Sequence, residues 1–500
     1  MTWIINPDRV LCKRDPMLYG QFLEHFHRQV YGGVFMPGHP LADENGFRRD
    51  VIEALRKIRT PIIRWPGGCF VSSYHWEKGV GPRRVKVFDK SWRVEDDNTF
   101  GTDEFIKLCR AIGCEPYICL NAGTGSEEEM SNWLEYCNLE YEGEYASKRI
   151  ENGYPEPYKV KYWSIGNENY GHWELGAKDA KSWARLVLET SKLMKRVDPE
   201  TELSAAALTD IDWNVNLLNA ASERLHWISI HSYWDFMPPS HTPATYEQCM
   251  AFTDDLERSV RQVRGLLNAY GLEKKIRIAY DEWNLRGWFH PNIHTVAQGL
   301  TKEDYLTPRD KNDINSTYTM ADAVFSACFL NMLLRNADIV GMANFAPMVN
   351  TRGCIFTHDK GIVLRSTYHV FDLFVNLMGD EVVDLFGGSA PVYAVENKEG
   401  RKVEVEQVDI LATKHSQTGA LGVSLINKHA QAEAEVKLQL PEKYAEIHLT
   451  TLAGRNADDY NDIDRNHVIP FANDEAVSRT EDGSILLRLP AHSVNVLTIG

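Results

Sequence analysis

The sequence is short of positive charge. Its 500 residues carry 54 Lys and Arg against 70 Asp and Glu, a formal net charge of −16. Phosphate neutralisation needs clustered cations, and the short basic groups Arg48-Arg49 and Arg83-Arg84 stand alone. Nucleic acid is therefore not an expected partner, nor is an anionic membrane surface. The chain has no uninterrupted apolar run of the roughly 18 residues that a membrane-spanning helix needs. Its start, Met-Thr-Trp-Ile-Ile-Asn-Pro-Asp-Arg, lacks the apolar stretch of a secretory signal. A disulfide framework is missing too: the nine Cys are odd in number and scattered. Cys109, Cys114 and Cys119 are evenly spaced, but Cys119 sits in the apolar Tyr-Ile-Cys-Leu, which reads as a buried free thiol rather than a zinc ligand. Internal repeats and low-complexity segments are absent. These absences point to a reduced, cytoplasmic globular protein.

What is present is a change of texture near residue 380. Before it, eight short apolar runs alternate with helical patterns: 19–23, 62–65, 116–120, 160–165, 203–207, 227–230, 276–279 and 339–343. Most do not alternate in polarity, as befits strands buried on both faces of a parallel sheet. Trp183, Leu186, Val187, Leu193, Met194 and Val197 fall at helical spacing; Phe252 to Leu267 repeats the pattern, with Gly271 closing it. Residues 321–334 are apolar nearly all round, so that helix is buried. Eight strands with intervening helices favour a (β/α)₈ barrel over a doubly wound sheet. After residue 380 the runs 403–408, 422–426, 432–440, 447–452, 485–489 and 494–499 read as strands of a small antiparallel β domain. Trp3–Ile5 and Val10–Cys12 have no helix after them and could pair with it. The segment 285–315 has weak periodicity and reads as a long loop at the cleft.

A barrel of this kind carries its chemistry at the C-terminal ends of its strands. The polar residues there are Glu24-His25-Phe26-His27, Arg64 through Cys69, Asn121, Gly166-Asn167-Glu168, His231 through Trp234, Asp281-Glu282-Trp283-Asn284 and Asn344. Glu168 and Glu282 each follow an apolar strand, the fourth and the seventh. Two carboxylates flanking one bond are what glycoside hydrolysis needs, one to protonate the leaving oxygen and one to attack or to activate water. Either Glu alone reads equally as a salt-bridge partner or a cap. Their coincidence with the barrel positions, and Trp163, Trp173, Trp234, Trp283 and Trp288 nearby, favour the chemical reading; for each Trp singly, core packing is the plainer one.

Four segments in order resemble the α-L-arabinofuranosidases of glycoside hydrolase family 51. They are Phe22 through Gly33; Arg64-Trp65-Pro66-Gly67-Gly68-Cys69-Phe70 on to Pro82; Tyr162 through Glu168 with Gly171, Trp173 and Gly176; and Asp281-Glu282-Trp283-Asn284. Leu489 through Val494 looks like the family's final strand. The resemblance implies a (β/α)₈ barrel over 16–378 and a β-sandwich from 379–500 that takes in 1–15. It implies Glu168 as acid/base and Glu282 as nucleophile of a retaining double displacement. Sugar binding then falls to Glu24, Arg64, Cys69, Asn167, His231 and Tyr233, with Asn167 on the 2-hydroxyl, Tyr233 holding Glu282, His231 shaping the floor, and Glu24 and Arg64 paired. No cofactor or metal is implied. The implied substrate is an arabinose-containing oligosaccharide, and the implied assembly a homo-oligomer, with a hexamer as one candidate.

The chain departs from the family at His27, commonly Gly; at Pro347, often Gln; and at Asn169-Tyr170, more usually Met-Asp. These changes are expected near the sugar or the cleft rim. The competing readings are a related retaining glycosidase (β-xylosidase, galactofuranosidase or endo-β-glucanase), a catalytically silent carbohydrate-binding protein, and a metal-dependent barrel hydrolase.

Overall fold

The computed structural model describes residues 2–237, 242–288, 313–440 and 446–500, Trp288 by its backbone alone. Eight parallel strands close into a barrel: Gly20–Phe22, Ile62–Trp65, Glu115–Leu120, Tyr162–Ile165, Glu202–Ala206, Leu225–Met237, Arg277–Trp288 and Val340–Phe345. They correspond one for one to the eight apolar runs. Strands two, four and eight are buried at every residue, which explains why polarity does not alternate along them.

Two strands run far past their apolar segments. Strands six and seven stay paired to Met237 and Trp288, so they leave the barrel as a two-stranded ribbon that satisfies its own backbone. Residues 285–288, expected as loop, are therefore strand; of the rest of that expected loop, 289–312 lies outside the described residues, and Asn315 begins the short 3-10 helix Asn315–Thr317. Along this pair Ala279 faces Ser229, but Glu282 faces His231. Strand seven thus carries one extra residue, a β-bulge, so the adjacent Asp281 and Glu282 both serve the barrel's interior.

The helix Met320–Arg335 is buried on nearly its whole circumference, as its all-round apolar sequence requires. The second helical pattern begins later than its spacing suggests: Arg258–Ala269 is helix, with a separate short helix at Tyr246–Ala251 before it.

Ten of the remaining strands among the described residues form a single curled sheet, and the other six pair off as three small two-stranded sheets. The two layers of the expected sandwich are two parts of this sheet; Ile5, Val383, Val423, Val436, Leu449 and Leu487 share one core. The N-terminal strand Thr2–Lys13 lies inside the sheet, antiparallel to Glu381–Phe386 and parallel to Ala434–Gln439. The run 403–408 is divided at Gln407: Lys402–Glu406 forms a separate hairpin with Val392–Glu396, and Val408–Lys414 enters the sheet. All nine cysteines are free, and no helix among the described residues is long and apolar enough to cross a membrane.

Candidate active site

Glu168 stands two residues beyond Gly166, whose φ of +72° suits glycine. A Cβ there would lie 2.1 Å from Asn169 Oδ1 and 2.6 Å from Trp183 Cη2. Glu168 itself has φ +45°, a left-handed conformation that is unusual for a long side chain and is often found where function demands it. Its Oε1 lies 2.7 Å from His231 Nδ1, and its Oε2 accepts from Trp173 Nε1 at 2.8 Å. Oxygens of Glu168 and Glu282 and a nitrogen of His231 all lie within 4.8 Å of one another.

Glu282 is held from two sides. Arg64 Nη1 donates to its Oε1 at 2.6 Å, and Tyr233 Oη donates to its Oε2 at 2.8 Å. Arg64 is fully buried; its Nη2 donates to Asn167 Oδ1 at 2.9 Å, and its Nε lies 3.3 Å from Asp281 Oδ2. Asp281, beneath the site, also accepts from Tyr117 Oη and Ser229 Oγ. Burial alone would raise the Asp281 carboxyl, but Arg64 and His231 outweigh it and bring it down to about 2.

Two sequence expectations are corrected here. Glu24 and Arg64 do not pair: Glu24 Oε1 instead accepts from the Phe70 amide at 3.0 Å and from Trp92 Nε1 at 2.8 Å. The Gly67-Gly68 turn permits this approach, since a Cβ on Gly67 would meet Glu24 Cγ at 2.4 Å. Arg64 is turned instead to Glu282, Asn167 and Asp281. His231 does more than shape a floor; it bridges Glu168 to Asp281, its Nε2 lying 3.3 Å from Asp281 Oδ1.

The buried carboxyls differ in their proton affinity. Burial and the neighbouring Glu282 push Glu24 up to about 8. Burial and Glu168 push Glu174 to about 8. Burial would raise Glu168 as well, but the hydrogen bond and charge of His231 hold it below its ordinary range. Burial would lower His231, but Glu282, Asp281 and Glu168 together raise it to about 10. The Glu168–His231 pair therefore stores its proton on the imidazole, one hydrogen bond from the carboxylate.

Of the five Trp residues, Trp173 touches the Glu168 carboxylate. Trp163 and Trp283 are core: Trp163 donates to the Val160 carbonyl and Trp283 stacks on Phe329 with centroids 4.3 Å apart. Trp234 packs on Phe252 and Phe325. The Trp288 side chain lies outside the described residues. Asn169 and Tyr170 stand behind the rim rather than on it: Asn169 is fully buried and accepts the Asn167 amide, while Tyr170 packs edge-on against Trp173 and Trp213. His27 occupies its usual-glycine position at φ +54°, its ring 3.0 Å from Asp313.

Sequence reasoning missed three residues of this site. Glu174 accepts from Ser72 Oγ at 2.7 Å and Asn167 Nδ2 at 3.2 Å, and its carboxylate lies within 4.8 Å of Cys69 Sγ and a Glu168 oxygen. Its signal was its place beside Trp173, in the segment already singled out. Trp92 comes from the small hairpin of Val87–Asp89 and Val94–Asp96, and Arg352 from the turn after strand eight; both segments lack a motif that points to the cleft.

Two family models match: the α-L-arabinofuranosidase 1 domain over residues 54–251 and the α-L-arabinofuranosidase C-terminal domain over 281–493. α-L-Arabinofuranosidase C of Emericella nidulans is 34% identical, covering 90% of this chain and 89% of its own. The chain belongs to the family 51 α-L-arabinofuranosidases. The intracellular exo-α-(1→5)-L-arabinofuranosidase of Halalkalibacterium halodurans is 31% identical over 100% of this chain and 99% of its own. Among solved structures of the family, the Thermotoga maritima α-L-arabinofuranosidase in complex with arabinose superposes with a TM-score of 0.87 at 32% identity, covering 99% of both chains.

Proposed function

We propose that this chain is an exo-acting α-L-arabinofuranosidase that removes terminal arabinofuranosyl residues from arabinan- or arabinoxylan-derived oligosaccharides with retention of configuration. The observation that carries the reading is the approach of Glu168 and Glu282 across the barrel mouth, oxygens within 4.8 Å. Retaining enzymes place their carboxyl groups about 5–5.5 Å apart, whereas inverting ones leave space for a water at about 6.5–9.5 Å.

Glu282 is the nucleophile: the hydrogen bonds from Arg64 and Tyr233 hold and aim its carboxylate, and it attacks the anomeric carbon to form a glycosyl ester as the leaving oxygen departs. Glu168 is the acid/base. In the free site its proton rests on His231; it passes to Oε1 and from there to the departing oxygen. Once Glu282 is esterified, Glu168 takes a proton from the incoming water, whose oxygen bonds the anomeric carbon as the ester bond breaks and frees the Glu282 carboxylate. Asn167, fixed by Arg64 and Glu174, faces the sugar's 2-hydroxyl; Cys69 lines the same pocket. No step calls on a metal or cofactor. On this reading residues 16–378 are the catalytic unit, with 1–15 and 379–500 as its companion domain. The free thiols and the relatives named intracellular support a cytoplasmic location; the family resemblance alone suggests a homo-oligomer.

Azide tests the assignments. Glu168→Ala should accumulate glycosyl-enzyme with an activated aryl arabinofuranoside, because ester formation needs no acid and breakdown lacks its base. Azide should restore turnover visibly, since general acid–base help is worth about 10²–10⁴-fold, and give an azide product of retained configuration. Glu282→Ala should lose turnover of every substrate. An inverted azide from Glu168→Ala would exchange the two roles.

A further inference from the structure

Arg352 is a half-buried cation without a counter-ion: among the described residues no carboxylate lies within salt-bridge distance of it. Its guanidinium is nonetheless fixed in place. Nε donates to the Ala346 carbonyl at 3.0 Å, Nη2 donates to Tyr233 Oη at 3.2 Å, and Cζ sits 4.8 Å from the centroid of the Tyr233 ring. Enclosing a cation without a partner is costly, so its orientation needs an explanation beyond support of Tyr233. Through Tyr233 it stands two hydrogen bonds from the Glu282 carboxylate, and its side chain is partly exposed there.

An arginine has five N–H donors and no acceptor. Two are used, and the remaining three have no acceptor among the described residues. A sugar hydroxyl accepts as well as donates, and so can complete the guanidinium. The rest of this sector of the rim has little to give: Pro347 has no side-chain donor, and the Ala346 carbonyl already receives Asn284 Nδ2 and Arg352 Nε. Arg64, the other arginine of the site, is committed to Glu282, Asn167 and Asp281.

We propose that Arg352 determines glycone specificity by donating to one outer hydroxyl of the bound sugar, the 3- or the 5-hydroxyl. The inference rests on the proposed reading of the pocket as a glycone site.

The test pairs deletion of the arginine with deletion of the hydroxyl. Wild type, Arg352→Gln and Arg352→Lys are assayed on 4-nitrophenyl α-L-arabinofuranoside and on its 3-deoxy and 5-deoxy analogues, and L-arabinose binding is measured by calorimetry. Arg352→Gln should lose about 10–100-fold in kcat/KM on the parent glycoside, the range of a hydrogen bond to a charged group, with the loss carried largely by KM. Arabinose binding should weaken in parallel, and Arg352→Lys should recover part of both. On one of the two deoxy analogues, wild type should fall by a similar factor and Arg352→Gln should fall little further. Losses that multiply on both analogues, or an Arg352→Gln enzyme that binds arabinose as wild type does, would overturn the proposal. A wild-type enzyme inert on the arabinofuranoside and unable to bind arabinose would instead overturn the underlying reading.

Discussion

His231 is the residue whose role differs most from its reading as a floor residue. Packed against Glu168, Asp281 and Glu282, it holds a proton up to about 10, so the site keeps its acid at neutral pH and loses it as the pH rises through that value. His231→Asn removes the store and leaves the proton to the Glu168 carboxyl alone. The alkaline limb of kcat/KM should then move down by about one unit or more, as a pH–rate profile will show; an unmoved limb would mean the proton never depended on the imidazole. Glu168 and Glu282 were legible because each follows an apolar strand directly. The partners of Glu24 and Arg64 were not, since two opposite charges near one cleft imply a pair, whereas the structure gives Arg64 three better-placed acceptors and Glu24 two N–H donors. Glu174, Trp92 and Arg352 arrive from connecting segments, where nothing local says which way a side chain turns.

Among the elements, the turn after strand four is the most constrained. Gly166→Ala adds a Cβ at a positive φ and within 2.1 Å of Asn169 Oδ1. It should cost about 1–3 kcal/mol and displace Glu168, with kcat reduced by about 10²-fold; denaturant unfolding and steady-state kinetics read the two effects separately. All eight barrel strands were legible from short apolar runs, yet the ends of strands six and seven were not. Beyond the barrel rim these strands pair mainly with each other, so their sequence need not be apolar on both faces. The bulge that lets consecutive Asp281 and Glu282 both face inward was equally silent, because strict alternation would have placed one of them outside. In the C-terminal region five of the six expected runs match single strands, but Glu381–Phe386 and Val392–Glu396 gave no signal, and a hairpin strand and a sheet strand meet at Gln407 in one uninterrupted β-like run.

At the scale of the molecule, barrel and sheet share one core. Val382, Leu411, Ile426 and Val494 from the sheet belong to the same apolar cluster as Trp283, Phe329 and Leu330. Leu330→Ala should therefore destabilise both units together, by about 2–5 kcal/mol, and calorimetry should show one transition at lower temperature rather than two separated ones. The place of the first strand has a further consequence, in time rather than in space. Thr2–Lys13 is made several hundred residues before its neighbours Glu381–Phe386 and Ala434–Gln439. At about 5–20 residues per second, Trp3, Ile4 and Ile5 leave the ribosome roughly 20–90 s before the strands that flank them. During that interval the nascent chain carries an unpaired edge that another copy could capture, so the yield of this protein should depend on what shields this strand during synthesis.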